Sequence, residues 1–193
     1  MRHFLRAGIF ATALALSAGA FATTSVASTL DFTGAGPQGG GAYSEDGLSF
    51  DDIRIVNGNC DAASGKACGA LNDNETSILT KVGGGTFSLT SFWYQLLGKG
   101  HGLSNTLFVT TDLGGLLTFA ANLVGHNDGG HVVDVSALSA FQNITSLAFS
   151  TNGGGNVRID DLAVPAAVPL PAGGLLLIGG LGALAALRRR KQA

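Results

Sequence analysis

With the two apolar ends of this 193-residue chain set aside, about 135 residues remain, enough for one domain with a single buried core. Its 30 glycines and 12% charged residues are the composition of a turn-rich exported protein rather than a cytosolic enzyme. Six of the eleven Lys and Arg lie in the ends, so Arg54, Lys66, Lys81, Lys99 and Arg158 face all thirteen acids and give the middle a formal charge of −8. That sign repels phosphate backbones, argues against nucleic acid as a partner, and suits a divalent cation better.

Residues 1–27 read as a secretory signal, with Arg2 and Arg6 in front, an apolar stretch from Ala7 to Ala22, and small residues after it. Two sites fit the small-x-small cleavage rule: Ala20-Phe21-Ala22 before Thr23, and Ser25-Val26-Ala27 before Ser28. The second is preferred because Thr29-Leu30-Asp31-Phe32 already reads as a strand. An uncleaved anchor is the alternative, disfavoured by the shortness of the apolar run.

Residues 28–164 show no sustained helical period, and short β-rich runs recur between Gly, Asn and Asp clusters, which predicts an all-β sandwich. The expected strands are Thr29–Thr33, Leu48–Val56, Ser77–Val82, Thr86–Leu96, Thr106–Thr111, Leu116–Val124, His131–Val135, Ile144–Ser150 and Val157–Val164. Within Thr86–Leu96 the apolar alternation changes phase between Leu89 and Phe92, as at a bend where a strand crosses between sheets. Asp112-Leu113-Gly114-Gly115 and Asn127-Asp128-Gly129-Gly130 both read as hairpin turns.

Cys60 and Cys68, the two cysteines of an exported chain, are expected to form a disulfide. No His lies near them, and two thiolates alone do not make a zinc site. His126 and His131 flank Asp128 at a metal-ligand spacing, but the turn explains the same residues, and His101 reads as a loop residue. Trp93 and Tyr94 are candidates for a sugar-stacking platform. Adjacent strand residues face opposite ways, so one of the two belongs to the core. There is no Gly-x-Ser-x-Gly elbow, no His-Glu-x-x-His and no glycosidase-like carboxylate pair, so the chain reads as non-enzymatic.

The chain ends on Val168-Pro169-Leu170-Pro171-Ala172, an apolar run over 172–187, and Arg188-Arg189-Arg190-Lys191 within the tail 188–193. The prolines keep 165–171 extended, the run would form about 24 Å of helix, and the basic cluster stops transfer and holds its end in the cytoplasm. The order of motif, apolar helix and basic tail resembles the VPLPA variant of the PEP-CTERM sorting signals of bacterial exported proteins. The resemblance implies recognition by an exosortase, a membrane transpeptidase, after which the protein passes from a transient membrane anchor to the cell surface or medium. A permanent tail anchor is the alternative.

A second resemblance lies in Phe141-Gln142-Asn143-Ile144-Thr145-Ser146-Leu147-Ala148-Phe149 and Arg158-Ile159-Asp160-Asp161-Leu162-Ala163-Val164. Together these are similar to the ending of exported jelly rolls of the galactose-binding-like, carbohydrate-binding-module type. The resemblance implies a jelly-roll-like sandwich whose last strand pairs near the first, Leu30-Asp31-Phe32. It also implies a structural Ca²⁺ held by Asp160 or Asp161 with the first strand at Asp31, and hard oxygen ligands suit that ion. Asp51-Asp52 is a second acidic pair. The expectation is therefore an exosortase-sorted surface protein with a structural or adhesive role in an extracellular polysaccharide matrix. A carbohydrate-binding module using Trp93 or Tyr94 is the other reading, and a secreted hydrolase a distant third.

Overall fold

Strand formation follows the apolar alternation, and a computed structural model of the chain describes the result for residues 27–58, 60, 66–98, 104–123 and 127–165. The expected secretory signal, sorting motif, membrane helix and basic tail, together with His101 and His126, lie outside the described residues. Among the described residues no helix is long and apolar enough to cross a membrane. The elements are β1 (Ser28–Leu30), β2 (Tyr43–Glu45), β3 (Leu48–Phe50), β4 (Arg54–Val56), β5 (Cys68–Leu71), β6 (Thr76–Lys81), β7 (Ser91–Leu97), β8 (Ser104–Thr111), β9 (Leu116–Asn122), β10 (His131–Asp134), a 3₁₀ turn (Ser139–Phe141), β11 (Ser146–Asn152) and β12 (Asn156–Val164).

They build two six-stranded sheets, and the described chain is an all-β sandwich. Sheet A has the order β10-β7-β12-β5-β4, with β1 also on β12, and sheet B has the order β2-β3-β6-β11-β8-β9. As expected, the last strand takes the first beside it: Ser28, Thr29 and Leu30 lie opposite Val164, Ala163 and Leu162. One flank of β12 lies along β7, with a bulge between Asp160 and Ala163, and the other is shared by β5 and β1.

Three expectations need correction. Leu48–Val56 is two strands, β3 in sheet B and β4 in sheet A, because the Asp51-Asp52 pair turns the chain between the sheets. The Asp51 carboxylate accepts the amides of Ile78 and Asp52, each at 2.7 Å, and that of Asp52 accepts the Gly41 amide at 2.6 Å. Asn127–Gly130 is not a hairpin turn, since β9 belongs to sheet B while β10 pairs with β7 in sheet A. The short strands β2 and β5 were not expected, because Tyr-Ser-Glu and Cys-Gly-Ala-Leu carry too little alternation to stand out from loops. The Asp112–Gly115 hairpin joins β8 to β9. The bend before Phe92 is also present: Phe87 exchanges backbone hydrogen bonds with Ile144 at 2.9 Å each, ahead of β11, and from Ser91 the chain runs in sheet A.

The inward faces enclose a continuous apolar core. Aromatic rings cross it from Phe32 to Phe50 (6.2 Å), Phe149 (6.0 Å), Phe92 (5.7 Å) and Phe119 (6.1 Å). Burying a side chain of this size contributes about 1.5–3 kcal/mol, so these rings are a large share of what holds the sheets together. Gly69 on β5 is required by this packing, because a Cβ there would lie 2.8 Å from the Phe32 ring. Phe32 itself has a left-handed backbone, φ 55°, and Glu45 holds it there by accepting the amides of Asp31 (3.1 Å) and Phe32 (2.8 Å).

Candidate functional site

Alternation on the two central strands of sheet A sets the site. Phe92, Tyr94 and Leu96 of β7 and Val157 and Ile159 of β12 enter the core, so Trp93, Gln95, Arg158 and Asp160 share the opposite, outer face. Register aligns them. Arg158 lies opposite Gln95 on one flank and Ala70 on the other, Ala70 lies opposite Arg54 of β4, and Asp160 lies opposite Trp93. A row Arg54, Ala70, Arg158, Gln95 therefore crosses four strands of the outer face.

The row is short of internal partners at its guanidinium groups. Arg158 is 8% exposed, its Nη1 donates to its own Val157 carbonyl at 3.3 Å, and its buried Nε meets no acceptor among the described residues. Burial pushes this guanidinium below its ordinary pKa. Arg54 Nη2 reaches Glu75 Oε1 at 3.3 Å, while its buried Nε also meets no acceptor among the described residues. Glu75 is fixed in turn by the Asn72 amide at 2.7 Å. Beside Arg54 a cavity of about 90 Å³ opens between Gly40, Asp52, Ala70 and Glu75. These two Nε donors, on either side of Ala70, can donate to hydroxyl or carboxylate oxygens of a ligand.

The other expected site residues fall as follows. Cys60 and Cys68 form the disulfide, with Cα atoms 5.9 Å apart, and tie the loop after β4 to the start of β5. Neither aromatic candidate presents an open ring face. Tyr94 joins the core against Phe119 at 4.4 Å, and Trp93, 4% exposed, is covered by Gly130, where a Cβ would lie 2.4 Å from Trp93 Cζ2. Asp128 does the work of a loop anchor rather than a metal ligand. Its Oδ1 accepts the Leu96 and Gly130 amides at 3.0 and 3.1 Å, and its Oδ2 lies 3.3 Å from His131 Nε2. This pins Gly130 over Trp93, and burial, with the Asp128 charge adding, raises the Tyr94 hydroxyl pKa.

The acids expected to hold calcium are engaged as follows. Asp160 is fully buried and accepts the Asp161 amide at 2.8 Å, Asp161 sits in the β12 bulge at φ 49°, and Asp31 closes a turn on the Thr33 amide at 2.8 Å. Among the described residues no three His, Cys, Asp or Glu side chains come together as a metal site. Arg54, Arg158 and Gln95 were not singled out as site residues by sequence, nor was Glu45 of sheet B. A charged or amide residue between apolar neighbours is the ordinary pattern of a solvated strand face, and only the register brings Arg54, Arg158 and Gln95 into one row.

No protein-family model matches the chain, and no curated protein matches it in sequence. Among solved structures it is similar to TmCBM61 in complex with β-1,4-galactotriose, at 13% identity and TM-score 0.35, covering 71% of this chain and 94% of that one. It is similar also to the family 11 carbohydrate-binding module of the cellulase Lic26A-Cel5E of Clostridium thermocellum, at 12% identity and TM-score 0.35, covering 77% and 99%. A third is the CBM28 module specific for non-crystalline cellulose, at 13% identity and TM-score 0.29, covering 59% and 80%. The sandwich described above rests on the strand pairings, not on these likenesses.

Proposed function

We propose that this chain is an exported, non-catalytic polysaccharide-binding protein that holds its ligand across the outer face of sheet A. The observation that carries the reading is the row from Arg54 to Gln95, in which two guanidinium Nε donors are buried without acceptors among the described residues. A buried donor without a partner costs about 1–3 kcal/mol, and the oxygen-rich edge of a sugar chain supplies the acceptors. The ligand is read by hydrogen bonds from the row, not by stacking on Trp93 or Tyr94. Export and sorting complete the proposal. The segment 165–193, with Pro169, Pro171 and the cluster from Arg188 to Lys191, supports handling by an exosortase and delivery to the surface or the surrounding matrix.

Affinity electrophoresis of the full chain in detergent, through gels cast with a panel of soluble polysaccharides, tests the binding. Retardation by at least one polysaccharide is expected, weakened about tenfold or more by Arg158→Lys, which keeps the charge but loses Nε and the planar fork. Free migration in every gel, or equal retardation of the variant with its fold intact, rejects the site.

A further inference from the structure

Among the described residues five strands pair on one side only, and they are unequal. β1, β2 and β4 have three residues each and β10 has four, and β2, β4 and β10 carry Glu45, Arg54 and Asp134, the short charged edges that natural sheets use to refuse strand addition. β9 has seven residues, Leu116–Asn122, and is the outermost strand of sheet B. It carries no charge, and neither does any residue from Leu113 to Leu123. Its inward side chains Leu117, Phe119 and Ala121 are packed on the core, Phe119 lying 6.1 Å from Phe92 and 4.4 Å from Tyr94, so the edge is held as a fixed template. Thr118 and Ala120 are exposed on the outer face, and at the hairpin end Leu113 and Leu116 are 56% and 60% exposed.

We infer that β9 pairs antiparallel with β9 of a second copy of this chain, joining two six-stranded sheets into one of twelve. Charge selects this place. Two middles of −8 repel each other, and the long uncharged edge is where their backbones can approach. The strand is also self-complementary. With all seven residues paired, Leu117 meets Ala121, Thr118 meets Ala120, and Phe119 lies beside its own copy, so each face pairs uncharged side chains with uncharged ones. A symmetric contact of this kind closes as a dimer. It is independent of the polysaccharide site, which lies on the other sheet.

Both native cysteines are in the disulfide, so an added cysteine is a single reporter. Full-chain Thr118→Cys and Ala120→Cys, mixed in detergent and treated with a short bifunctional thiol reagent, are expected to give a covalent heterodimer. Thr118→Cys mixed with Thr80→Cys, an exposed position on the inner strand β6, is expected to give several-fold less. Adding Ala121→Lys to both reactive variants should abolish the product. Leu116→Lys, at an exposed site, serves the same purpose should Ala121→Lys fail to fold. Equal yields from the two mixtures, or a yield unchanged by the lysines in folded protein, overturns the inference.

Discussion

Glu45→Ala should release the first strand from the sandwich. The Glu45 carboxylate takes two backbone amides that no strand pairing satisfies, Phe32 at 2.8 Å and Asp31 at 3.1 Å. Phe32 is fully buried, so its amide cannot turn to water, and losing a hydrogen bond to a charged acceptor there costs about 1.5–3 kcal/mol. Asp31 is partly exposed, and water recovers part of that bond, leaving about 0.5–1 kcal/mol. The expected loss is about 3 kcal/mol, which for a domain of this size lowers Tm by roughly 10 °C. Thermal unfolding followed by fluorescence of Trp93, the single tryptophan, measures it. Hydrogen exchange should show faster exchange at the Asp31 and Phe32 amides before global melting. A variant that melts within about 2 °C of the natural chain, a few tenths of a kcal/mol on the same scale, would refute the clamp.

Further outcomes follow from the same geometry. Burial, with the Asp31 charge adding, raises the Glu45 pKa, so this carboxyl favours folding most below its unfolded value and that contribution is lost as pH rises through the folded one. Glu45→Gln should therefore gain on the natural chain as pH rises from about 4 to 7, measured as the difference in Tm. Cys60→Ala opens a loop with sequence separation 8 and should cost about 2.5 kcal/mol by chain entropy, read from urea unfolding. Gly130→Ala places a methyl 2.4 Å from Trp93 Cζ2 at φ +79°; about 1–3 kcal/mol of stability should be lost and the Trp93 emission shifted.

The all-β class and most strands were legible because alternation in segments such as Phe92-Trp93-Tyr94-Gln95-Leu96 is set locally by which face is buried. The pairing of the first strand with the last was legible only through the resemblance, since no local signal joins residues so far apart. What failed was long-range. Asp51-Asp52 looked like part of a strand and proved to be a corner, because the acceptors that fix its carboxylates come from Gly41 and Ile78. Asn127–Gly130 has hairpin composition, yet β10 found β7 instead of β9. The candidate site shows the same limit. Trp93 attracts attention as an aromatic, but its burial depends on Gly130 arriving from another loop. The Arg54 to Gln95 row exists only after three strand registers are fixed.

If sheet A takes polysaccharide on its outer face, Trp93 is placed to report it, lying opposite Asp160 on the same face as Arg158 and Gln95. The most direct measurement is a titration of its intrinsic fluorescence with the polysaccharide that most retards the chain. A saturable change in emission, with its midpoint moved about tenfold or more by Arg158→Lys, is the predicted result. Retardation in the gel with no change in Trp93 emission, or a midpoint that Arg158→Lys leaves in place, would contradict it and move the binding surface elsewhere on the molecule.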